Sequence, residues 1–255
     1  MSNAHLSRRQ IVAMGSLLGG ISVAAPLRAQ SLDSIFGSAK KVIDAVSYSD
    51  EEMAVYFDQM SAQMDSQNTV AGPDDPYGQR LAALSQGLET YDGLNLDIKA
   101  YRVADVTAFA MANGTIRVYS GLMDQFTDDE VRYVIGHEIG HVKKEHTRKR
   151  MEGALQQEAA LSIAGTAGGE VGELAAGELG QLFNSVISSQ HSQKHEKQAD
   201  DYAFDFMRTN QYDAEACATA LEKLDALSGG SSQPDWLSTH PSPKSRAKRM
   251  RKKLK

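Results

Sequence analysis

The sequence predicts an α+β, mostly helical domain in which a small sheet precedes a helix that carries the chemistry. Three observations predict it. Alternating apolar residues and an Asn-Gly turn confine strand character to residues 94–119. Beyond residue 120 the apolar residues recur at helical spacing. Thr127-Asp128-Asp129-Glu130 has the form of a capping box, which satisfies orphan N–H groups where a helix begins.

Along the chain, residues 1–29 read as a signal peptide. Arg8 and Arg9 precede an apolar run from Ile11 to about Ala25, and Leu27-Arg28-Ala29 offers a cleavage site. Ser7 to Val12 also resembles a twin-arginine export signal; an ordinary export signal with two arginines is the alternative. Residues 30–255 form the domain. Gln30 to Ser47 reads as a short helix, and Ser49-Asp50-Glu51-Glu52 as a helix start. Met53, Tyr56, Phe57, Met60 and Met64 then fall on one helical face and read as core. Ala71 to Pro76 is a loop, and Leu81, Leu84 and Leu88 mark the next helix.

Leu94, Leu96, Ile98 and Ala100 alternate with polar residues, which is strand periodicity. Two further apolar runs flank Asn113-Gly114, a hairpin signal. The helix opened by Thr127 runs through Val142, and helices follow over 184–209 and 214–227. Residues 161–180 are Gly/Ala-rich with interspersed Glu and read as a helical hairpin or lid. Pro243 opens a last helix whose many cations read as a solvated face.

Composition narrows the function. With 27 Lys plus Arg against 33 Asp plus Glu the net charge is −6, which argues against nucleic acid as a partner. Cys217 is the single cysteine, so neither an internal disulfide nor a Cys-rich metal site can form. No later apolar stretch is long enough for a transmembrane span, so periplasmic or other export without a membrane anchor is expected.

The chemistry lies in His137-Glu138-Ile139-Gly140-His141. At about 100° per residue the two histidines face the same way, one turn apart, which suits chelation of one zinc ion. Glu138 between them can reach water at the metal rather than the metal itself. Glu196 is the candidate third ligand. Asp200, one turn on, can accept the free N–H of a ligating histidine. His191 with His195 is a rival pair. His146 points away from His141 around the helix and reads as a surface residue. His240, before Pro241, is a structural residue, an electrophile for the oxyanion, or a fourth ligand of a latent site.

These segments form an ordered set. Ala108 to Gly114, Tyr119 to Leu122, Asp129-Glu130, His137 to His141, Glu196 to Asp200, and Thr239-His240-Pro241-Ser242 with Arg246 together resemble the HtpX and CAAX-prenyl-protease family of gluzincin metallopeptidases, nearest its small periplasmic members. The resemblance runs from about residue 50 to 250. It implies a gluzincin-like zinc metalloendopeptidase domain with one zinc per chain on His137, His141 and Glu196, and Glu138 as base. It implies unfolded or misfolded envelope proteins as substrates, protein quality control as the role, and association with membrane or envelope proteins. In such sites a peptide can lie along an exposed strand, for which Ala108-Phe109-Ala110 is the candidate. A zinc-bound periplasmic chaperone or assembly factor with little proteolysis is the alternative.

Overall fold

The structure, a computed structural model, describes residues 50–165, 181, 185–228 and 234–255. The expected signal peptide, the short helix over 30–47 and most of the expected lid lie outside the described residues. Helix α1 (Asp50–Gln67) leads into α2 (Pro76–Leu84), whose Asp75 cap accepts the Tyr77 N–H. A 3₁₀ turn (Tyr91–Gly93) precedes strands β1 (Asp97–Tyr101), β2 (Ala108–Ala110) and β3 (Thr115–Tyr119). The rest is helical: α3 (Ser120–Gln125), α4 (Asp128–Lys143), α5 (His146–Gly165), α6 (Gln193–Thr209), α7 (Ala216–Leu227), α8 (Trp236–Thr239) and α9 (Pro243–Lys253).

The sheet order is β1-β3-β2, with β1 parallel to β3 and β2 antiparallel to it. Gly114 takes the left-handed conformation that the hairpin needs, with φ +88°. The expected α2 is shorter than its apolar spacing suggested, because Gly87 at φ +81° turns the chain before Leu88. The expected helix over 184–209 is broken. Ser192 caps α6 by accepting the His195 N–H, and the His191 N–H is held by Thr239 O.

Two apolar clusters hold the fold. The larger joins the sheet to α4, α6, α7 and α9 through residues such as Ile116, Val134, Ile135, Phe206, Leu221 and Met250. The smaller joins Met53, Phe57 and Met60 of α1 to Met111, Met151 and Leu155, so the methionine face is core as expected. The Thr127 capping box is complete: Thr127 Oγ1 accepts the Glu130 N–H, and the Glu130 carboxylate accepts the Thr127 N–H at 2.8 Å. Buried within the larger cluster, α4 and α6 run against each other and carry the site.

Candidate metal centre

One face of α4 presents His137, Glu138 and His141, and the first turn of α6 presents Glu196. The segment after α8 adds His240. Ligand atoms of His137, His141, Glu196 and His240 all lie within 4.8 Å of one another, and all four residues are buried. His137 Nε2 is 3.0 Å from His141 Nε2. The Glu196 carboxylate oxygens lie 3.8 Å from His137 Nε2 and 3.5 Å from His141 Nε2.

The electrostatics suit a cation. Burial holds the imidazoles neutral: His137 is pushed down to about 4, and His141 and His240 well below their ordinary value. Burial pushes Glu196 up to about 8, and Arg246 offsets only part of this. Glu196 Oε1 and His240 Nε2 are buried with no hydrogen-bond partner. Neutral imidazole lone pairs beside a carboxylate that needs a cation to stay ionised are the donor set of a His/Glu metal site.

Glu138 lies beside this group. Burial raises its carboxyl to about 7, tempered by the Trp236 indole and Arg246. Trp236 Nε1 donates to Glu138 Oε1 at 3.3 Å, and His240 Nε2 is 3.5 Å from the same oxygen. The Trp236 and His240 rings stack at 4.3 Å.

Behind His137 sits Asp200. Asp200 Oδ1 is 3.1 Å from His137 Nδ1 and accepts the Tyr133 hydroxyl at 2.8 Å and Arg246 Nη2 at 2.7 Å. Burial opposes the charge on Asp200, but Arg246 and His137 overcome it and hold the carboxyl far below its usual range. Arg246 also bridges to Glu196.

Sequence reading missed Tyr133, the indole of Trp236 and the bridging role of Arg246. Tyr133 lies one turn before His137 on the same face of α4, which helical spacing alone could have shown. The reading of His146 as a surface residue is wrong. Helix α4 ends at Lys143, Glu145 takes φ +56°, and the reversal returns a buried His146 to His141. The rival His191–His195 pair is not part of the ligand group, and only His191 is buried.

The expected substrate strand needs a correction too. Strand β2 pairs with β3 alone among the described residues, yet Ala108 and Ala110 are buried rather than exposed. Trp236 N–H donates to Val106 O, and the Thr147 hydroxyl to Ala110 O, so both ends of β2 are engaged.

A helix bearing His-Glu-x-x-His, a glutamate from a second helix packed against it and a small sheet alongside define a metallopeptidase of the gluzincin type. The chain belongs to peptidase family M48, whose family model matches residues 87–254. It is 40% identical over 243 residues to the metalloprotease LoiP of Escherichia coli, covering 94% of this chain and 96% of that one. Its identity to the metalloprotease YcaL of the same organism is 34% over 211 residues, or 82% and 83% of the two chains. The beta-barrel assembly-enhancing protease of E. coli is 30% identical over 152 residues, 56% of this chain but 31% of that protein.

Proposed function

We propose that the chain is a zinc-dependent metalloendopeptidase that hydrolyses peptide bonds of unfolded or misfolded proteins in the cell envelope. Export is directed by residues 1–29, and the role is protein quality control. The carrying observation is the convergence of His137, His141 and Glu196 with Glu138 alongside. Zinc held by those three residues would supply Lewis acidity, polarising a peptide carbonyl and letting water lose a proton near neutral pH.

Glu138 is the proton carrier. With its carboxyl near 7 it takes a proton from water and returns it to the leaving amine. The Trp236 N–H fixes one of its oxygens and so its direction. Asp200, itself held by Tyr133 and Arg246, orients His137. With both ends of β2 engaged, extended substrate would bond the outward amide of Ala108, between Val106 O and Ala110 O. The envelope reading is supported by the export-like leader and by the relative named for β-barrel assembly.

One observation favours the second reading, a zinc-bound chaperone or assembly factor. His240 stands within the ligand group, and a fourth protein ligand would close the position that catalysis needs. The test is cleavage of unfolded casein by purified residues 30–255, beside Glu138→Gln and His240→Ala, with chelator and zinc re-addition. The expected result is cleavage lost in chelator, restored by zinc, and reduced at least ~100-fold in Glu138→Gln. A 10-fold fall in kcat for His240→Ala makes it the oxyanion partner; a rise makes it a latch. Absence of cleavage by both wild type and His240→Ala, with casein holding that survives Glu138→Gln, favours the chaperone.

A further inference from the structure

We infer that His146 is a positioning residue that fixes His141 in the tautomer a metal ligand requires, with Gln198 fixing His146 in turn. The inference rests on the proposed reading of His141 as a ligand through Nε2. It starts from an unusual contact: His146 Nδ1 is 3.0 Å from His141 Nδ1. Two imidazole nitrogens at that distance share one proton, so one ring must donate and the other accept.

The direction follows from the far side of each ring. His141 Nε2 faces the ligand group, 3.0 Å from His137 Nε2 and 3.5 Å from Glu196 Oε1. A metal takes the lone pair of that nitrogen, which leaves the His141 proton on Nδ1. His146 Nδ1 therefore accepts. Its own proton sits on Nε2, which is 3.0 Å from Gln198 Oε1 and donates to it. The chain His141 to His146 to Gln198 places every proton and ends on an amide oxygen that can only accept.

The surroundings hold His146 to this task. The reversal at Glu145 makes it the first residue of α5, and its ring is buried. His195 stacks on it at 4.1 Å and 13° between planes. The adjacent Thr147 hydroxyl anchors the turn to Ala110 O. His137 and His141 thus have different supports. Asp200 gives His137 an ionised acceptor, itself neutralised by Arg246, whereas His141 has a neutral one. A second carboxylate here would add negative charge next to Glu196 and Glu138. An imidazole orients the ring without it.

Removing such support costs about 10- to 100-fold in metal affinity. The experiment is zinc competition against a chromophoric chelator, using the full chain and its His146→Leu, His146→Asn and Gln198→Leu variants, with thermal melting of each metal-free protein. Asn carries its oxygen close to where His carries Nδ1, so it accepts without adding charge. The expected result is zinc affinity lowered about 10- to 100-fold in His146→Leu, largely restored in His146→Asn, and lowered a few-fold in Gln198→Leu. Melting of the metal-free proteins should not follow that order. Should His146→Leu not fold, the loss in Gln198→Leu and retention in His146→Asn carry the test.

Equal zinc affinity in wild type and His146→Leu overturns the inference. So does an Asn variant that falls as far as Leu while both melt lower without metal, because that is a packing effect. A wild type that takes up no zinc overturns the metal reading and this inference with it. Zinc bound tightly by wild type and His146→Leu alike overturns this inference only.

Discussion

A side chain on Gly140 would begin 3.0 Å from the Cα of Ala199, so α4 and α6 meet backbone to backbone behind the ligand group. That approach brings Glu196 within reach of His137 and His141. Two effects oppose each other in Gly140→Ala. Alanine favours a helix over glycine by ~1 kcal/mol, but forcing a methyl against backbone costs ~1–3 kcal/mol and cannot be relieved by a rotamer change. The expected result is net destabilisation with weaker zinc retention, read by urea denaturation and chelator competition. Gly153→Ala is the control: nothing lies within 4 Å of its Cβ position, so it should gain about 0.5–1 kcal/mol. Equal gains at both positions would remove the close approach as a constraint.

Substrate addition to β2 can be tested by proline at a chosen register. Met111 N–H bonds to Thr115 O and Tyr119 N–H to Thr107 O. Alternation then turns the Phe109 amide towards β3 and the Ala108 amide away from it. Phe109→Pro should therefore break the sheet and lower stability. Ala108→Pro should spare the sheet and raise KM about tenfold for an unfolded substrate, since it removes an outward donor. An unchanged KM in a folded Ala108→Pro protein excludes β2 as the docking edge.

Acid should loosen α1 from the sheet. Burial alone would raise the Asp65 carboxyl, but Arg117 and Tyr101 more than offset it and hold it at about 2. Asp65 accepts from Arg117 Nε at 2.8 Å and Tyr101 Oη at 2.6 Å. A carboxyl lowered on folding contributes stability that is complete above its unfolded value, here 3.8, and disappears as pH falls through about 2. Asp65→Asn should cost about 1–3 kcal/mol at pH 7, because it leaves the buried Arg117 short of a partner. The gap to wild type should shrink between pH 4 and pH 2 in urea titrations. A gap that stays constant with pH would show that Asp65 acts through packing alone.

Much of this protein is legible in its sequence where the signal is local. The Thr127 box, the Asn113-Gly114 turn and the one-turn spacing of His137 and His141 each concern a few adjacent residues, and the structure shows all three. Glu196 and Asp200 were legible because a helix repeats their relation within one turn. The misses involve chain reversals and long-range coverage. One residue, Glu145, invalidates the helical wheel that sent His146 to the surface. Ala108 and Ala110 were assigned to an open edge because no local pattern reveals the partners of Val106 O and Ala110 O. The basic run in α9 read as a solvated face, but Arg246, Arg249, Arg251 and Lys253 pair with carboxylates of α6 and its neighbours.

The burial of Arg246 gives this enzyme an order of assembly. His137, Glu138, His141, Glu196 and Asp200 all leave the ribosome before it does, yet both acidic residues of α6 share its guanidinium. A nascent chain halted before α9 would hold those two carboxylates close together without their cation. Burial would then favour their protonated forms, because Arg246 is the charge that opposes it. The ligand group is thus completed by a helix that follows every other residue of the site in the chain.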